Sequence, residues 1–341
     1  MRISIDQSNK EPIYKQLVSQ VERAFHDGTL SGGEQLPSMN DLADSMDISR
    51  ETVKKAYNIL TTKGVIVPKQ GKGFYAADPS VSTRPQVLVI FDKLSVYKQI
   101  MFNSFSGRLG DKAEITIVNH NQSVELLQFY LDNYLDNFDY YVVTPHFPLD
   151  SASQEKAAKQ LTRIPNRKLI MLDRLQPDFP GNFGAVYQDF EHDIYYGLSE
   201  GWADNGASSR LRVITLPSSL YGRCIRKGVE QFAADRGVDA EFMTAAPESV
   251  SKGDVFLVLN SQLDAGLVAL AQNIRKAGLK IGSDVKIISY NEYDMNELVL
   301  GGLTTVSTDF RLMGELAADM ILSRQPQKIH CPFKMIHRNT Y

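Results

Sequence analysis

A short run of basic residues near the N-terminus could bind phosphate. Between Ile48 and Ala77 a single acid, Glu51, stands against six lysines and arginines, although the whole chain has a net charge of -3. These six are Arg50, Lys54, Lys55, Lys63, Lys69 and Lys72. A basic surface on an otherwise acidic protein is typical of a face that meets a nucleic acid backbone. A solvated helix surface could have the same composition, so the surrounding elements have to decide.

A second set of polar residues follows apolar runs in the rest of the chain. The runs include VLVIF, YYVV, KLIML, VFLVL and KIISY. The polar residues that follow them are Asp92, His146, Asp173, Arg174, Asn260 and Asn291. Such side chains can hydrogen-bond a small polar ligand if the fold brings them together. The acids and amides could instead cap the next helix, Arg174 could pair with a surface acid, and His146 could be an ordinary loop residue.

The elements predicted for residues 1–77 place the basic run on a helix and a hairpin. Apolar residues recur at helical spacing from Ile13 to Phe25, directly after Pro12. Ser38 followed by Asp41 indicates the start of a short second helix, and Ser49 can cap a third helix that carries basic residues outward. VIVP, KQGKG and FYAA then predict two strands joined by a tight turn. This order predicts a winged helix-turn-helix domain that binds DNA.

The stretch PIYKQL…GKGFYAA resembles the DNA-binding domain of the gluconate-repressor (GntR) family. Its marks are PIY, GTLSGGEQLPS, SRETVKKAY and QGKGF. The resemblance implies that residues at the start of the third helix read the major groove and that the wing tip lies near the minor groove. Asn40 stands where the family usually has an arginine, which implies a shifted operator preference. The predicted DNA-binding residues are Ser38, Ser49, Arg50, Thr52, Lys54, Lys55, Lys69, Gly71 and Lys72.

Residues 78–86 and 87–341 predict a linker followed by an α/β domain. The linker DPSVSTRPQ has two prolines, three small hydroxyl residues and no apolar periodicity. Beyond it, short apolar runs alternate with amphipathic helical stretches, which predicts parallel sheets built from strand–helix–strand units. Ligands of such sheets bind beyond the carboxyl ends of the strands, where the second polar set would lie.

Residues 87–341 resemble the effector domain of the lactose/galactose-repressor (LacI/GalR) family, which shares its fold with type I periplasmic sugar-binding proteins. The marks are VFLVLNSQLDAGLVALAQNIRKAGLKIGSDVKIISYNEYD, LTTVSTDFRLMGELAADMIL and the final KMIHRNTY. The resemblance implies two lobes that share crossing segments, an effector between them, and a homodimer. A GntR head on this domain is similar to arabinose-repressor-type regulators.

This second resemblance also implies roles for single residues. Asn260 falls on an asparagine that touches the sugar, and Asn291 stands where the family usually has an effector-binding aspartate. An arginine near the start of the helix at 224–236 would grip the ligand; Arg226 and Arg223 both compete, and Arg226 is preferred. The predicted effector-binding residues are Asp92, His146, Asp173, Arg174, Arg226, Asn260 and Asn291.

Other classes of protein fit the sequence poorly. The phosphate-loop, nucleophile-elbow and H-E-x-x-H motifs are absent, and an aminotransferase-like domain would need a longer tail, so we expect no enzyme. Cys224 and Cys331 are too few for a disulfide scaffold or a cysteine-based zinc site, and we expect no cofactor. With no signal peptide and no run of about 18 apolar residues, the chain is expected in the cytoplasm and not in a membrane.

These features predict a sequence-specific transcription regulator of the repressor type that controls carbohydrate-use genes. Its partners would be near-palindromic duplex DNA, a monosaccharide effector and a second copy of the chain. The alternative is a regulator that responds to a nucleoside, to a phosphorylated metabolite, or to no small molecule. A phosphate-containing effector would need several basic groups at the opening of its binding site, and only Arg174 and Arg226 are available.

Overall fold

A computed structural model describes residues 3–6, 9, 11–69, 71–77, 84–202, 210–215, 219–259 and 265–341 of the chain. The chain divides into two units. The first comprises Met1–Val89, Gly110–Val118 and Gln128–Tyr141, and the second comprises Ile90–Leu109, Asn119–Leu127 and Val142–Tyr341. Six of the nine residues predicted as linker, 78–83, lie outside the described residues.

The N-terminal part of the first unit, called the head below, has three helices and a hairpin. They are α1 (Ile13–His26), α2 (Met39–Met46), α3 (Arg50–Thr62), β1 (Ile66–Lys69) and β2 (Gly73–Ala76). Serine caps begin two of the helices: Ser38 Oγ accepts from Asp41 N–H at 3.1 Å, and Ser49 Oγ accepts from Thr52 N–H at 3.2 Å. β1 and β2 pair antiparallel. The predicted winged helix-turn-helix is therefore confirmed.

One face of α3 anchors the head. Val53, Ala56, Tyr57 and Leu60 recur at helical spacing and are buried in a single apolar cluster with α1 and α2. The Tyr57 hydroxyl donates to the Pro37 carbonyl at 2.8 Å, so the buried phenol is satisfied. Because this face is packed, the opposite face of α3 is held in a fixed orientation.

The rest of the chain is an α/β domain with two six-stranded sheets. Its strands are β3 (Gln86–Phe91), β4 (Glu114–Asn119), β5 (Tyr140–Val143), β6 (Leu169–Asp173), β7 (Gly184–Tyr187), β8 (Arg210–Ile214), β9 (Asp239–Met243), β10 (Asp254–Val258), β11 (Lys286–Tyr290), β12 (Thr304–Thr308), β13 (Lys328–His330) and β14 (Phe333–Ile336). The sheet orders are β13-β7-β6-β5-β3-β4 and β14-β12-β11-β10-β8-β9. β3 begins at Gln86, whose N–H donates to Asp139 Oδ2 at 2.9 Å, so this last residue of the predicted linker belongs to the sheet.

Helices follow most of these strands. They are α4 (Val96–Leu109), α5 (Val124–Tyr134), α6 (Ser151–Leu161), α7 (Phe190–Gly201), α8 (Gly222–Arg236), α9 (Ala265–Lys276) and α10 (Phe310–Ser323). The strand pairs β8–β9, β8–β10, β10–β11, β11–β12, β6–β7 and β7–β13 are parallel, whereas β12–β14 is antiparallel. Asp254–Val258 is buried along its whole length, as expected for a strand covered on both faces. No helix in the described part of the chain is both long and apolar enough to span a membrane.

Three crossing segments connect the two sheets. The chain passes from β7 to α7, from β12 to α10 and from β13 to β14. Hydrogen bonds join these segments: Cys331 N–H donates to the Tyr187 carbonyl at 2.7 Å, and Asp309 N–H donates to the Pro332 carbonyl at 3.0 Å. The predicted α/β class with a two-lobed body and shared crossing segments is confirmed.

Candidate functional site

The outward face of α3 carries three exposed cations, Arg50, Lys54 and Lys55. Lys54 Nζ lies 3.5 Å from Glu51 Oε1, and both side chains are more than half exposed. An exposed pair of this kind contributes at most about 1 kcal/mol, so a phosphate can readily replace the carboxylate. Lys55 Nζ lies 3.9 Å from the centroid of the Tyr14 ring. The face is therefore a basic surface on a rigid helix, as DNA recognition requires.

The three predicted hydroxyl contacts lie at helix starts. Ser49 Oγ accepts from the Thr52 backbone and lies 2.8 Å from Thr52 Oγ1. One of these two hydroxyl hydrogens must therefore point to another acceptor, such as a phosphate or a base edge. Ser38 caps α2 as an acceptor and also keeps its hydroxyl hydrogen.

The hairpin turn presents the other predicted head residues. Gly71 has φ 71°, a conformation that favours glycine, and a Cβ there would meet nothing within 4 Å. Gln35 Nε2 donates to the Lys72 carbonyl at 2.8 Å, which fixes the turn to the body of the head. Lys69 Nζ lies 4.2 Å from the centroid of Tyr75. Both lysines are exposed on the wing and available to phosphate.

In the second unit, four buried polar side chains meet at the carboxyl ends of β3, β5 and β6. We call Asp92, Lys98, His146 and Asp173 the buried cluster; each is at most 5% exposed. Lys98 Nζ bonds Asp173 Oδ2 and lies 3.3 Å from Asp92 Oδ1. His146 Nε2 lies 2.9 Å from the same Asp173 oxygen. Parallel strands bring their ends to one sheet edge, which explains why residues so far apart in sequence meet.

Asp173 has a strained backbone and many partners. Its φ is 73°, a region that costs a non-glycine residue roughly 1 kcal/mol or more. Besides Lys98 and His146, it accepts from the side-chain amide of Gln188, and Gln188 in turn accepts from Thr308 Oγ1 at 2.8 Å. Gln188 and Thr308 belong to two of the crossing segments. The carboxylate is therefore linked by side-chain hydrogen bonds to the connection between the sheets.

The buried cluster keeps one net negative charge. Burial would raise the pKa of Asp173, but the Lys98 ammonium and His146 outweigh it and hold that pKa well below its usual range. Burial would lower the pKa of Lys98, but the Asp173 and Asp92 carboxylates raise it. Burial lowers the pKa of His146, and the Lys98 charge adds to this, so the imidazole is neutral. Two carboxylates against one ammonium leave the site attractive to hydrogen-bond donors.

Three buried polar atoms elsewhere in the second unit have no hydrogen-bond partner among the described residues. They are the hydroxyls of Tyr221 and Tyr290 and the amide oxygen of Asn291. Burial, followed by the charges of Asp193 and Asp173, raises the pKa of Tyr290 well above its usual value, so its phenol is neutral. A buried group without a partner costs about 1–3 kcal/mol. A polar ligand could remove that cost.

A crevice opens beside the buried cluster. Its volume is about 330 Å³, and its lining includes Arg174, Leu175, Gln188, Phe190 and Tyr221. The Phe190 and Tyr221 rings are stacked with centroids 4.0 Å apart, and the Arg174 guanidinium carbon lies 5.3 Å from the Tyr221 centroid. This volume lies in the range of small-molecule sites.

The structure brings together some of the predicted effector residues and not others. Asp92, His146 and Asp173 meet in the buried cluster, and Arg174 lines the crevice while donating to the Pro145 carbonyl at 3.1 Å. Asn291 follows β11 with φ 72°. Asn260 lies outside the described residues.

Arg226 is placed differently from the prediction. It is exposed on α8, bonds Glu230 at 2.7 Å one turn later, and lies 4.3 Å from the centroid of Phe242. These contacts hold its guanidinium beside Glu230 and Phe242, and the structure does not bring it to the buried cluster. The competing Arg223 is exposed in the first turn of the same helix.

The alternative interpretation of the strand-end acids was that they cap helices. Other residues provide these caps. Asp189 caps α7 and Asp309 caps α10 through backbone N–H groups. Asp92 accepts instead from Thr144 Oγ1 and Lys98, and Asp173 accepts from the side chains described above. His146 does follow a strand in a loop segment, but it is buried.

Sequence reasoning missed Lys98, Gln188 and Tyr221. Lys98 is the only charged residue in the stretch VYKQIMFNSFSG, which was a usable signal because an isolated lysine among apolar residues has to find a counter-charge if it is buried. Gln188 and Tyr221 carry no comparable signal, since their roles depend on the crossing segment and on ring stacking.

Two families of domain match this chain. Residues 13–76 match the family described as bacterial regulatory proteins, gntR family, and residues 215–336 match the periplasmic binding protein-like domain. The chain therefore combines a gntR-type helix-turn-helix domain with a periplasmic-binding-protein-like domain.

Curated relatives match in part of their length. The HTH-type transcriptional repressor YtrA of Bacillus subtilis (strain 168) is 33% identical over 81 residues, which are 24% of this chain and 62% of that protein. The lactose operon repressor of Escherichia coli (strain K12) is 32% identical over 66 residues, 19% of this chain and 18% of that protein. The chain thus spans less than two thirds of the length of these relatives.

Solved structures show the same body fold. A dimeric Lac repressor with an 11-residue C-terminal deletion has a TM-score of 0.59 and 19% identity, covering 75% of this chain and 98% of that one. A periplasmic binding protein/LacI transcriptional regulator from Alkaliphilus metalliredigens QYMF, complexed with D-xylulofuranose, has a TM-score of 0.54 and 14% identity, covering 75% and 98%. The architecture is that of a gntR-type head on a LacI-like body.

Proposed function

We propose that this protein is a cytoplasmic transcription regulator, a repressor in type, that binds duplex operator DNA through the head. The supporting observation is that one chain combines a basic helix-turn-helix face with a buried polar site that holds unpartnered phenols. Arg50, Lys54, Lys55 and the wing lysines would contact DNA. The curated relatives are transcriptional regulators, and several are repressors, which supports this assignment.

The effector that suits the buried cluster is a neutral monosaccharide. Its hydroxyls can donate to Asp92 and Asp173 and can pair with the phenols of Tyr221 and Tyr290. A phosphorylated metabolite would bring negative charge to a cluster that already has an excess of it, and among the described residues that line the crevice only Arg174 could compensate. The fold is shared with a regulator solved with a bound sugar, which supports the same ligand class.

Linkage would connect the two sites. An effector that binds near Asp173 favours one arrangement of the crossing segments through Gln188 and Thr308, and it shifts the population toward that arrangement. In a homodimer this would change the spacing of two heads on a near-palindromic operator. Release of the operator would then switch on genes of carbohydrate use.

Thermal unfolding of the full chain tests the effector. We expect one of D-glucose, D-galactose, D-xylose or L-arabinose, at about 10 mM, to raise Tm by roughly 2–4 °C for each kcal/mol of binding. Glucose 6-phosphate and adenosine serve as the charged and planar alternatives. Tyr221→Phe removes one unpartnered hydroxyl and should reduce the shift. A shift with the phosphate ester alone, or with none of the neutral sugars, contradicts the proposed ligand class.

A further inference from the structure

An acidic segment in the first unit faces the head. From Val124 to Tyr141 the chain contains Glu125, Asp132, Asp136 and Asp139 and no lysine or arginine. Residues 132–137, which include the end of α5 and the turn after it, are called the acidic segment below. Two of these four carboxylates belong to it, which gives it the charge of a short stretch of phosphate backbone.

Asp136 holds the first helix of the head. The Tyr14 hydroxyl donates to Asp136 Oδ2 at 2.8 Å, and Lys15 Nζ lies 3.2 Å from Asp136 Oδ1. Both carboxylate oxygens are therefore engaged by consecutive residues of α1. The Asp136 side chain is 33% exposed, so these contacts are partly shielded from water. Charge-assisted hydrogen bonds of this kind are stronger than neutral ones.

The same contact reaches the recognition helix. Lys55 Nζ lies over the Tyr14 ring whose hydroxyl bonds Asp136. A groove of about 480 Å³ separates α3 from the acidic segment. On the α3 side its lining includes Lys54 and Ile59 together with Glu51, Lys55, Asn58 and Thr62, which are spaced at three or four residues and form one stripe of the helix.

Duplex DNA and the acidic segment need the same space. A recognition helix lies within the major groove, with backbone phosphates along both of its flanks. The stripe of α3 that includes Lys55 and Asn58 instead faces residues 132–137 across a groove much smaller than a stretch of duplex. The head cannot therefore engage DNA along this flank while Asp136 holds α1.

We propose that the acidic segment is an intramolecular docking surface for the head, which it binds in competition with duplex DNA. The inference rests on the DNA-binding part of the proposed function. Asp136 offers Lys15 and Tyr14 the same oxygen chemistry as a phosphate, and docking leaves Lys55 on the flank of α3 that lines the groove. DNA binding then requires that the contacts of Asp136 with Tyr14 and Lys15 be broken.

Duplex affinity without any effector tests this proposal. Fluorescence anisotropy of a labelled random-sequence duplex of about 20 base pairs, between about 50 and 200 mM salt, measures binding by the full chain. We expect Asp136→Asn to bind roughly three- to tenfold more tightly than the native protein, because the loss of one shielded, charge-assisted contact is worth about that much. Tyr14→Phe keeps the ring beneath Lys55 and should tighten binding by roughly two- to fivefold.

Two controls separate docking from a general effect of charge. Asp111→Asn removes an equal charge from an exposed turn of the same unit, outside the acidic segment, and should leave duplex affinity unchanged. In the double variant, Tyr14→Phe should add little to Asp136→Asn, because both changes break one contact. Circular dichroism melts establish that each variant is folded.

The outcomes are distinct. Tighter binding by Asp136→Asn and Tyr14→Phe, without it in Asp111→Asn, supports the docking surface. Equal affinities across the set, an equal gain in Asp111→Asn, or weaker binding by Asp136→Asn overturns it while leaving DNA binding itself established. If neither the native chain nor any variant binds duplex, the proposed function fails and this inference fails with it.

Discussion

Lys98 allows Asp92 and Asp173 to remain ionised away from water. Its ammonium contacts both carboxylates and is itself buried. Transfer of a single charge from water into a protein interior is costly, and a partner recovers this cost only while it is present. The stability of the buried cluster therefore depends on the set of charges and not on any one pair.

We predict that Lys98→Met destabilises the protein by about 3–5 kcal/mol, because it leaves two carboxylates buried without their counter-charge. Lys98→Met combined with Asp173→Asn should recover a large part of that loss, because only one buried carboxylate then remains. Urea unfolding of the two variants and the native chain measures the difference. A double variant no more stable than Lys98→Met would show that charge compensation is not what Lys98 provides.

At the scale of residues, sequence reasoning found the cluster's acids and missed its base. Asp92 and Asp173 follow buried strands, and the topology of a parallel sheet brings such positions together. A lysine usually extends its ammonium into water, so the one sequence signal of its burial, the isolated position of Lys98 among apolar residues, was overlooked. Arg226 and Arg223 were both candidates for an effector contact; the structure places Arg226 beside Glu230 and Phe242, and its role in effector binding stays a prediction.

At the scale of elements, glycines permit close approach of helix pairs. A Cβ on Gly314 of α10 would lie 2.2 Å from the Met101 carbonyl oxygen of α4, and one on Gly228 of α8 would lie 2.1 Å from the Glu191 carbonyl oxygen of α7. Both obstacles are backbone atoms, which cannot move aside as a flexible side chain could. These two pairs of helices can pack at their observed distance only without side chains there.

We predict opposite effects for two glycine-to-alanine changes in the α4–α10 pair. Gly314→Ala should destabilise the protein by about 2 kcal/mol or more, since the added methyl forces the helices apart. Gly107→Ala, at an exposed position of α4 where a Cβ meets nothing within 4 Å, should stabilise it by about 0.5–1 kcal/mol through helix propensity. Denaturant unfolding of both variants measures these changes. A tolerated Gly314→Ala would contradict the close approach described here.

The elements were predictable where their periodicity is strong. The apolar runs VLVIF, YYVV, VFLVL and KIISY all contribute strands, and the capped helices of the head begin at the expected residues. β9 was not predicted, because DAEFM pairs at a sheet edge and is only partly buried. β7 was not predicted either, because it is only four residues long and begins with glycine.

At the scale of the whole molecule, the proposed DNA and effector sites belong to different units of the chain. Arg50 and the wing lie in the first unit, and the buried cluster lies in the second. Each site is built from its own packed elements. Loss of a side chain in one site should therefore leave the intrinsic affinity of the other unchanged.

We predict that Arg50→Ala abolishes binding of an operator selected from random duplex by the native chain, while the sugar-induced rise in Tm persists. Arg226→Ala is the matched control, because it also removes an exposed arginine but one that pairs with Glu230. It should preserve both activities. Anisotropy at about 150 mM salt and thermal unfolding provide the two measurements. Retention of operator binding by Arg50→Ala would show that the recognition surface is wrongly assigned.

The three hydrogen-bonded crossing segments constrain how this protein can respond to a ligand. Bonds between Cys331 and Tyr187, Asp309 and Pro332, and Thr308 and Gln188 mean that no segment can change its torsion angles without disturbing another. The glycine-packed helix pairs beside them leave little room for bending elsewhere. Such a joint should switch between a few discrete settings rather than deform gradually, so an effector would change the fraction of molecules in each setting.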